Sequence, residues 1–328
     1  MMRNFTRFLS LVFVSALLMS QFAYGQLSGT YTIGSAGNYT TFSAAVSALN
    51  SGGVSGPVVF NVAAQTFSEK IILTPVSGAS LTNTISFIGA GNTQTTLTYS
   101  GSSTSNWSTV QFDGADYFVF KDMKVQNTGS SYANCFFFTN NSRYNTIHNC
   151  YINVGKGSAS YRIPIIASGS KTSYSTSGNN AWYNTISENT IYGGYYGIRM
   201  YGGGSSSPNL GNNFLDNLIT DQYYYPMYIY YNGEMHVQRN TIRNITSTGG
   251  YGIMLYYGTS DTVTHNDIQT QRYGMYFYYN NYYVKGQSLL ANNMIYNFGF
   301  RYNRGIYFYR AENTKVLFNT IWTKSSSS

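Results

Sequence analysis

Residues 252–270, GIMLYYGTSDTVTHNDIQT, combine an alternating apolar segment with a second motif, HNDI, and pieces of both recur along the second half of the chain. The segments HNCYI, ENTIY, DNLIT, RNTIR, HNDIQ, NNMIY and FNTIW align with one another. The alignment places the following residues in one column: Cys150, Asn189, Asn217, Asn240, Asn266, Asn293 and Asn319. Such internal repetition predicts a stack of similar structural units.

The neighbouring columns support this alignment, and Met123 extends it by one unit toward the N-terminus. Two residues after each member stand Val125, Ile152, Ile191, Ile219, Ile242, Ile268, Ile295 and Ile321. Three residues before each member stand Phe120, Ile147, Ile186, Phe214, Val237, Val263, Leu290 and Val316. Both columns are apolar throughout, although only 43% of the chain is hydrophobic. A further apolar position lies 10 residues earlier in several units, at Val110, Met227, Ile253 and Ile306.

Each unit therefore contains short strands joined by turns and is too small to bury its own apolar side chains. With almost no helical pattern elsewhere, this predicts an all-β fold, a right-handed parallel β-helix with a short N-terminal capping helix at residues 42–49. Thr41 and Ser43 are the candidate N-caps of that helix. The asparagine column predicts a ladder of side-chain amides, with each asparagine in the left-handed backbone conformation of a bend.

The chain divides into four segments. Residues 1–25 predict a secretory signal peptide, because Arg3 and Arg7 precede an apolar run that ends at small residues. Residues 26–108 predict the cap and first coils, and residues 109–323 the regular coils with the ladder. The tail, residues 324–328, follows a full coil without a capping element, which suggests a truncated product or a missing C-terminal domain. The expected location is secreted or at the cell surface, with no transmembrane segment.

Composition limits the classes of partner. Charged residues form 9% of the chain and aromatic residues 17%, with 34 Tyr and 33 Gly, which is typical of strands and tight turns. The formal charge is +8, or +6 without Arg3 and Arg7, and no Lys/Arg block suggests nucleic acid. We expect a monomer without a cofactor, and the three histidines form no metal-binding spacing. Cys135 and Cys150 are expected to be buried thiols, with one disulfide left as the alternative.

The opening of the mature chain resembles a known superfamily. The segments GNYTTFSAAVSALN (37–50), FSEKIIL (67–73) and TISFIGAG (84–91) are similar to the start of pectin-lyase-like proteins, particularly pectin methylesterases. The resemblance implies the β-helix fold. It does not extend to an active site, because the methylesterase segments that carry the catalytic aspartates correspond here to stretches without a carboxylate. The signatures of polygalacturonases are also missing from the sequence.

Tyrosines on alternate positions of five consecutive strands predict a binding wall. The inward residues are apolar, and the outward ones place Tyr201, Tyr230, Tyr256, Tyr278 and Tyr309 in one exposed file, with Phe138 expected to extend it. A second file contains Arg199, Tyr228, Met254, Tyr276 and Tyr307. Tyrosine suits a sugar polymer because its ring packs on a pyranose face while its hydroxyl donates a hydrogen bond. Arg199, Arg304 and Arg310 border this wall and favour an acidic glycan.

Two carboxylate pairs are the candidate catalytic residues. Glu188 and Asp216 each precede a ladder asparagine in consecutive coils, with Arg239 and His265 in the same position of the next two. Glu234 and Asp261 lie in turns of consecutive coils beside the tyrosine wall. Adjacent strands are about 5 Å apart, near the carboxyl separation of a retaining glycosidase. The simpler interpretation is that these turn residues face water and serve solubility.

Three functions follow from these patterns. The first is an extracellular polysaccharide-binding protein that uses the tyrosine wall. The second is a polysaccharide lyase or glycoside hydrolase that uses the turn carboxylates. The third is a structural or adhesive surface module, in which stacked tyrosines stabilise the wall or dock a protein.

Overall fold

The computed structural model describes residues 25–244, 250–297 and 304–324. In these residues the chain winds into a solenoid in which each coil adds one strand to each of three parallel sheets. The predicted signal peptide lies outside the described residues except for Gly25, and the predicted tail lies outside them except for Lys324. The solenoid is all-β apart from one helix, as the repeat predicts.

Three long sheets and two short strand pairs form the wall of the solenoid. Sheet 1 contains Leu27–Ile33, Val54–Val62, Ile85–Gly89, Phe118–Lys121, Thr146–His148, Thr185–Ser187, Asn213–Leu215, His236–Gln238, Thr262–Thr264, Ser288–Ala291 and Thr314–Leu317. Sheet 2 contains Thr66–Ser68, Thr96–Tyr99, Lys124–Asn127, Tyr151–Asn153, Thr190–Tyr192, Leu218–Thr220, Thr241–Asn244, Asp267–Thr270, Met294–Asn297 and Thr320–Thr323. Sheet 3 contains Ile71–Leu73, Ser108–Asp113, Asn134–Thr139, Ile165–Ala167, Tyr196–Tyr201, Tyr225–Tyr230, Ile253–Tyr256, Tyr273–Tyr278 and Arg304–Tyr309. Two short pairs, Ser142–Arg143 with Ala181–Trp182 and Asn209–Leu210 with Asn232–Gly233, join neighbouring coils at corners.

The apolar columns of the sequence are the core columns of the solenoid. Phe120 pairs with Ile147 in sheet 1, and the pairing continues coil by coil to Val316. The column from Val125 to Ile321 does the same in sheet 2. Members of both columns are fully buried except in the last described coil. One continuous interior therefore buries what no single coil could bury alone.

The predicted asparagine ladder is present at one corner of the solenoid. Asn189, Asn217, Asn240, Asn266 and Asn293 each donate both the backbone N–H and the side-chain amide to the next asparagine's Oδ1, at 2.8–3.1 Å. Cys150 has the same buried position, and its N–H donates to Asn189 Oδ1 at 2.9 Å.

The backbone conformation at this corner differs from our expectation by one residue. The left-handed residue is the one that precedes each ladder position, with φ of 50–58° at Asn149, Glu188, Asp216, Arg239, His265 and Asn292. The reason is that a ladder asparagine must point its amide inward along the stack. The bend itself is made by the exposed residue before it.

The single helix, α1 (Phe42–Gly52), is the predicted capping helix, extended by three residues. Thr41 is its N-cap, and its Oγ1 accepts the N–H of Ala44 at 3.0 Å. Phe42 is buried against Phe67 and Phe87, with ring centroids 5.1 and 5.4 Å away. The helix therefore covers the apolar interior of the first coils.

A second hydrophobic cluster lies outside the solenoid, on the outer face of sheet 3. Trp107, Phe137 and Ile166 point outward there and are buried by the two loops that flank the strand Ile165–Ala167, residues 155–164 and 168–179. Tyr161 of the first loop and Tyr174 of the second pack against each other at 4.7 Å. The outer face of sheet 3 is thus covered from the strand Ser108–Asp113 to the strand Ile165–Ala167, and the open part begins near Tyr196.

Neither cysteine forms a disulfide. Cys135 and Cys150 are both buried free thiols, as expected. Burial raises the pKa of the Cys135 thiol and raises the pKa of Cys150 to about 12. Thiols with pKa values raised in this way are poor nucleophiles. No helix within the described ranges is long and apolar enough to cross a membrane.

Candidate functional site

The open part of sheet 3 carries the tyrosines that the sequence places on one wall. Tyr201, Tyr230, Tyr256, Tyr278 and Tyr309 pair successively and form the central file. Arg199, Tyr228, Met254, Tyr276 and Tyr307 form the neighbouring file in the same register. We call this face, from the strand Tyr196–Tyr201 to the strand Arg304–Tyr309, the tyrosine surface. Phe138 does not extend it, because Phe138 pairs with Ala167 in an inward file and is fully buried.

Two further files widen the tyrosine surface and were not predicted. Tyr196, Tyr225, Tyr251 and Tyr273 form a file at the start of the strands, with successive ring centroids 4.9–5.4 Å apart. Tyr231, Tyr257 and Tyr279 form a file just after the strands, in left-handed conformations with φ of 53–56°. Both files have a signal in the sequence, a tyrosine two residues before the first inward residue and a tyrosine doublet at the strand end.

Rings of neighbouring coils lie close together along the solenoid axis, and several of them stack, although Tyr256 and Tyr278 are tilted by 45°. In the central file, centroids are 4.9 Å apart for Tyr201 and Tyr230 and 5.0 Å for Tyr278 and Tyr309, with planes within 9° of parallel. Rings of the central and last files are almost perpendicular, at 88° for Tyr230 and Tyr231. Parallel rings this close must overlap face to face, in an offset stack. The surface is therefore a herringbone of mutually covered rings.

This packing corrects the expectation of an exposed wall that offers ring faces. Most of the tyrosines are partly buried, and Tyr309 at the end of the central file is the most open member of that file at 37%. Inside a file, neighbours cover much of each face. The surface is therefore an array of closely spaced phenols, rather than a row of flat platforms for sugar rings.

Arg199 lies within the tyrosine surface, not at its border as predicted. Only 5% of it is exposed, and its guanidinium carbon lies 4.5–4.8 Å from the ring centroids of Tyr174, Tyr196 and Tyr228. Its Nε donates to the carbonyl oxygen of Tyr174 at 2.9 Å. Arg199 thereby attaches the loop that carries Tyr174 to sheet 3, through cation–π contacts. Met254, expected to face outward in the same file, is also buried, at 2% exposed.

Three other arginines sit over tyrosine rings of this surface. Arg272 donates to the hydroxyls of Tyr224 and Tyr251 at 2.9 and 3.0 Å. Arg304 lies 4.4 Å from the ring centroid of Tyr307, and Arg310 lies 5.4 Å from that of Tyr279. Among the described residues, the ion pairs involve other basic side chains, and none includes these three arginines or Arg199. Arg272, Arg304 and Arg310 therefore give the tyrosine surface positive charge that no acidic side chain of the described residues pairs with.

Four phenol groups of this surface have raised pKa values. Burial raises the pKa of Tyr196 to about 12, and burial together with neighbouring phenols raises the pKa of Tyr276 to about 12. The same causes raise the pKa of Tyr230 and Tyr256, because an ionised phenol would be desolvated and would sit among other phenols. The hydroxyls are thus neutral donors across the physiological range, and the charge comes from arginine.

The first candidate carboxylate pair lies on the corner beside the ladder. Glu188 and Asp216 are exposed and occupy the same position in consecutive coils, as the alignment predicts. Asp216 accepts two hydrogen bonds from Arg239, at 2.7 and 2.8 Å. Glu188 Oε2 lies 4.0 Å from Nε2 of His148. These contacts fit solvated side chains that pair across a corner.

The two members of the second candidate pair differ in their exposure to solvent. Glu234 is exposed, but Asp261 is completely buried, contrary to the expectation of a water-facing turn. One carboxylate oxygen of Asp261 accepts the N–H of Met235 at 3.2 Å, and the other accepts Nδ2 of Asn280 at 3.2 Å. Burial, with a smaller contribution from Glu234, raises the pKa of Asp261 well above its usual value. Asp261 thus has a structural position, out of reach of a polymeric substrate.

Across residues 25–244, 250–297 and 304–324, the structure contains no group of three or more His, Cys, Asp or Glu side chains that could hold a metal ion.

Comparison with known proteins supports the same fold. Residues 174–327 match the family model described as "Right handed beta helix region", which confirms the predicted hand. The structure of pectin methylesterase from carrot is similar, with a TM-score of 0.52 and 15% identity over 92% of this chain and 91% of that one. The pectate lyase Pel9A gives a TM-score of 0.51 and 17% identity, over 93% and 80% of the two chains. No curated protein sequence matches the chain. The chain therefore folds as a right-handed parallel β-helix, similar in fold to these two structures.

Proposed function

We propose that the protein binds an acidic extracellular polysaccharide on its tyrosine surface. The observation that carries the proposal is the combination of a continuous array of tyrosine hydroxyls with three arginines, Arg272, Arg304 and Arg310, that pair with no acidic side chain among the described residues. Sugar hydroxyls can exchange hydrogen bonds with neutral phenols, and uronate or sulfate groups can pair with guanidinium groups. Structural neighbours named as a pectin methylesterase and a pectate lyase are consistent with this class of ligand.

The proposed contacts differ from the usual stacking of a sugar on one aromatic ring. Because most ring faces are covered by neighbouring tyrosines, the glycan would contact ring edges and hydroxyls along the files. Catalysis is not part of the proposal, since Asp261 is buried and Asp216 is held by Arg239. Export of the protein, on the basis of residues 1–25, belongs to the same proposal. N-terminal sequencing of the secreted protein tests it, and a mature chain that starts at Gln26 is the expected result.

The main competing explanation is that stacked tyrosines only stabilise the solenoid. The chain provides a control for this, because Tyr117, Tyr144 and Tyr183 form a similar short file at another corner. Their rings are 5.3 and 5.2 Å apart and within 7° of parallel. If the tyrosines only stabilise the solenoid by stacking, the same substitutions in the two files should have the same effect on polysaccharide binding.

The test compares two triple variants in binding to polygalacturonate oligomers by calorimetry. Tyr230→Phe/Tyr256→Phe/Tyr278→Phe keeps the rings and removes three hydroxyls from the tyrosine surface. Each lost hydrogen bond is worth about 0.5–1.5 kcal/mol, so we expect affinity to fall by roughly tenfold or more. Tyr117→Phe/Tyr144→Phe/Tyr183→Phe should bind like the parent protein. Equal binding by both variants, or no binding of the parent protein to any polysaccharide, contradicts the proposal.

A further inference from the structure

The tyrosine surface is an array that repeats in two directions. Along the solenoid axis, the rings of the central file repeat every 4.9–5.3 Å over five coils. Across the strands, Tyr228 and Tyr230 are 6.2 Å apart, and Tyr276 and Tyr278 repeat the same step at 6.1 Å. Tyr231 continues the row 4.6 Å beyond Tyr230. The array is therefore four files wide and about as long as it is wide.

A single extended glycan chain uses only a small part of such an array. One chain is about as wide as two neighbouring files, so the remaining hydroxyls would stay in water. A cleft that encloses one chain has raised walls, whereas three of these files lie along the outer face of one sheet and the fourth follows directly after its strands. The shape therefore fits a ligand that is itself broad and flat.

The positive charges are also distributed across the width of the array. Arg272 precedes the first file, Arg304 occupies the first file and Arg310 lies in the last, whereas Arg199 of the second file is buried. A chain that runs along one file could reach at most some of the other three guanidinium groups. Acidic groups on several chains, side by side, could reach them all.

The repeat along the axis is that of the strands, about 4.8 Å per coil. One sugar of an extended pyranose chain has a similar length, so hydroxyls of chain and protein can stay in register over several coils. This match of repeats strengthens binding only when the glycan chain stays straight over several coils. Neighbouring chains in an ordered assembly provide that constraint, and a free chain in solution has to lose conformational entropy to achieve it.

We propose that the tyrosine surface recognises the face of an ordered assembly of acidic polysaccharide chains, such as a gel or fibre, with the chains parallel to the solenoid axis. This inference rests on the proposed function and specifies its ligand. Several weak contacts made at once to a fixed array give an avidity that one flexible chain cannot provide.

The first experiment compares one sugar chemistry in two physical states. Retention of the protein on calcium-crosslinked polygalacturonate gel is measured beside its affinity for soluble galacturonate oligomers too short to gel. We expect an apparent Kd for the gel at least about tenfold below that for the oligomers, and excess oligomer should displace only a small fraction from the gel. Equal affinities, or complete displacement, overturn this inference and leave the proposed function standing. Binding to neither state removes both.

The second experiment tests the width of the contact with variants at opposite margins. Tyr225→Phe/Tyr251→Phe/Tyr273→Phe alters the first file, and Tyr231→Phe/Tyr257→Phe/Tyr279→Phe alters the last. Both variants should weaken gel retention several-fold, whereas Tyr117→Phe/Tyr144→Phe/Tyr183→Phe should not. Loss of retention at one margin only would indicate a single bound chain and contradict the proposal. Unchanged melting temperatures show that the stacks remain intact in each variant.

Discussion

Asp261 occupies a column in sheet 1 where other coils carry a buried asparagine. Asn184 donates its N–H to Asn212 Oδ1 at 3.1 Å, and two coils further along the N–H of Met235 reaches Asp261 Oδ1 in the same way. Asp261 therefore substitutes for a ladder amide. Next to it, Oδ1 of Asn280 is buried without a hydrogen-bond donor. An amide at position 261 could supply that donor after rotation of the Asn280 amide.

We expect Asp261→Asn to stabilise the protein increasingly as the pH rises. Burial raises the folded-state pKa of Asp261, so its contribution to stability is full below the unfolded pKa of about 4 and is lost as pH rises through the folded pKa. The amide does not ionise and avoids this loss. The expected gain is roughly 1–3 kcal/mol at pH 8, the cost of a poorly satisfied buried polar group.

Chemical denaturation at pH 4, 6 and 8 measures this effect. The stability difference between Asp261→Asn and the parent protein should grow over that range. Glu312→Gln serves as the control because Glu312 is exposed and pairs with Lys285 on the surface. A stability difference that is constant with pH would mean that ionisation of Asp261 does not destabilise the folded protein.

At the scale of elements, the asparagine ladder links consecutive coils at one corner of the solenoid. Asn240 Oδ1 accepts from the N–H and the side-chain amide of Asn217, at 3.1 and 3.0 Å. Its own amide donates to Asn266 and to the carbonyl oxygen of Phe214, at 3.0 and 2.8 Å. All of these groups are buried, so each depends on its partner in the neighbouring coil.

We expect Asn240→Ala to lower the free energy of unfolding by about 3 kcal/mol. The substitution removes the acceptor of the Asn217 N–H and one hydrogen bond each from the Asn217 amide, the Phe214 carbonyl oxygen and Asn266 Oδ1. Asn266 Oδ1 keeps the N–H of residue 240 as a donor, and an unsatisfied buried group costs about 1–3 kcal/mol. Urea denaturation measures the change. Asn213→Ala is the control, because Asn213 makes only long side-chain hydrogen bonds of 3.3–3.4 Å at a partly buried position. A loss below about 1 kcal/mol, or equal losses in both variants, would show that the ladder contributes little.

At the scale of the whole molecule, the arginines of the tyrosine surface and the histidines lie on different parts of the solenoid. The tyrosine surface combines neutral phenols with arginine, whose guanidinium stays charged at any physiological pH. His148 and His265 lie near Glu188 and Asn292, at the corner that precedes the ladder. These two histidines, and His236 in the sheet-1 strand His236–Gln238, therefore lie outside the proposed binding face.

We expect binding to an acidic polysaccharide to weaken with salt and to change little between pH 5 and pH 9. Salt screens the arginine contacts, with a Debye length of about 10 Å at 0.1 M, whereas neither phenols nor guanidinium groups change charge in this range. Affinity measured at 0.05 and 0.5 M salt, at three pH values, tests both parts. A titration midpoint between pH 6 and pH 7 would instead implicate a histidine, and salt independence would remove the arginines from the interface.

The sequence by itself determined the repeat, the core columns, the ladder and the capping helix, because a stacked coil requires the same type of residue at the same place in each unit. It also identified two of the four tyrosine files by strand alternation. Only the tertiary structure decided how side chains lie against their neighbours in adjacent coils and connections. It assigned the left-handed bend to the residue before each ladder asparagine, placed Phe138 in the core, and buried Arg199, Met254 and Asp261. It also turned the tyrosine rings onto one another, because at a coil spacing near 5 Å each ring is covered by the next, and no single strand contains that information.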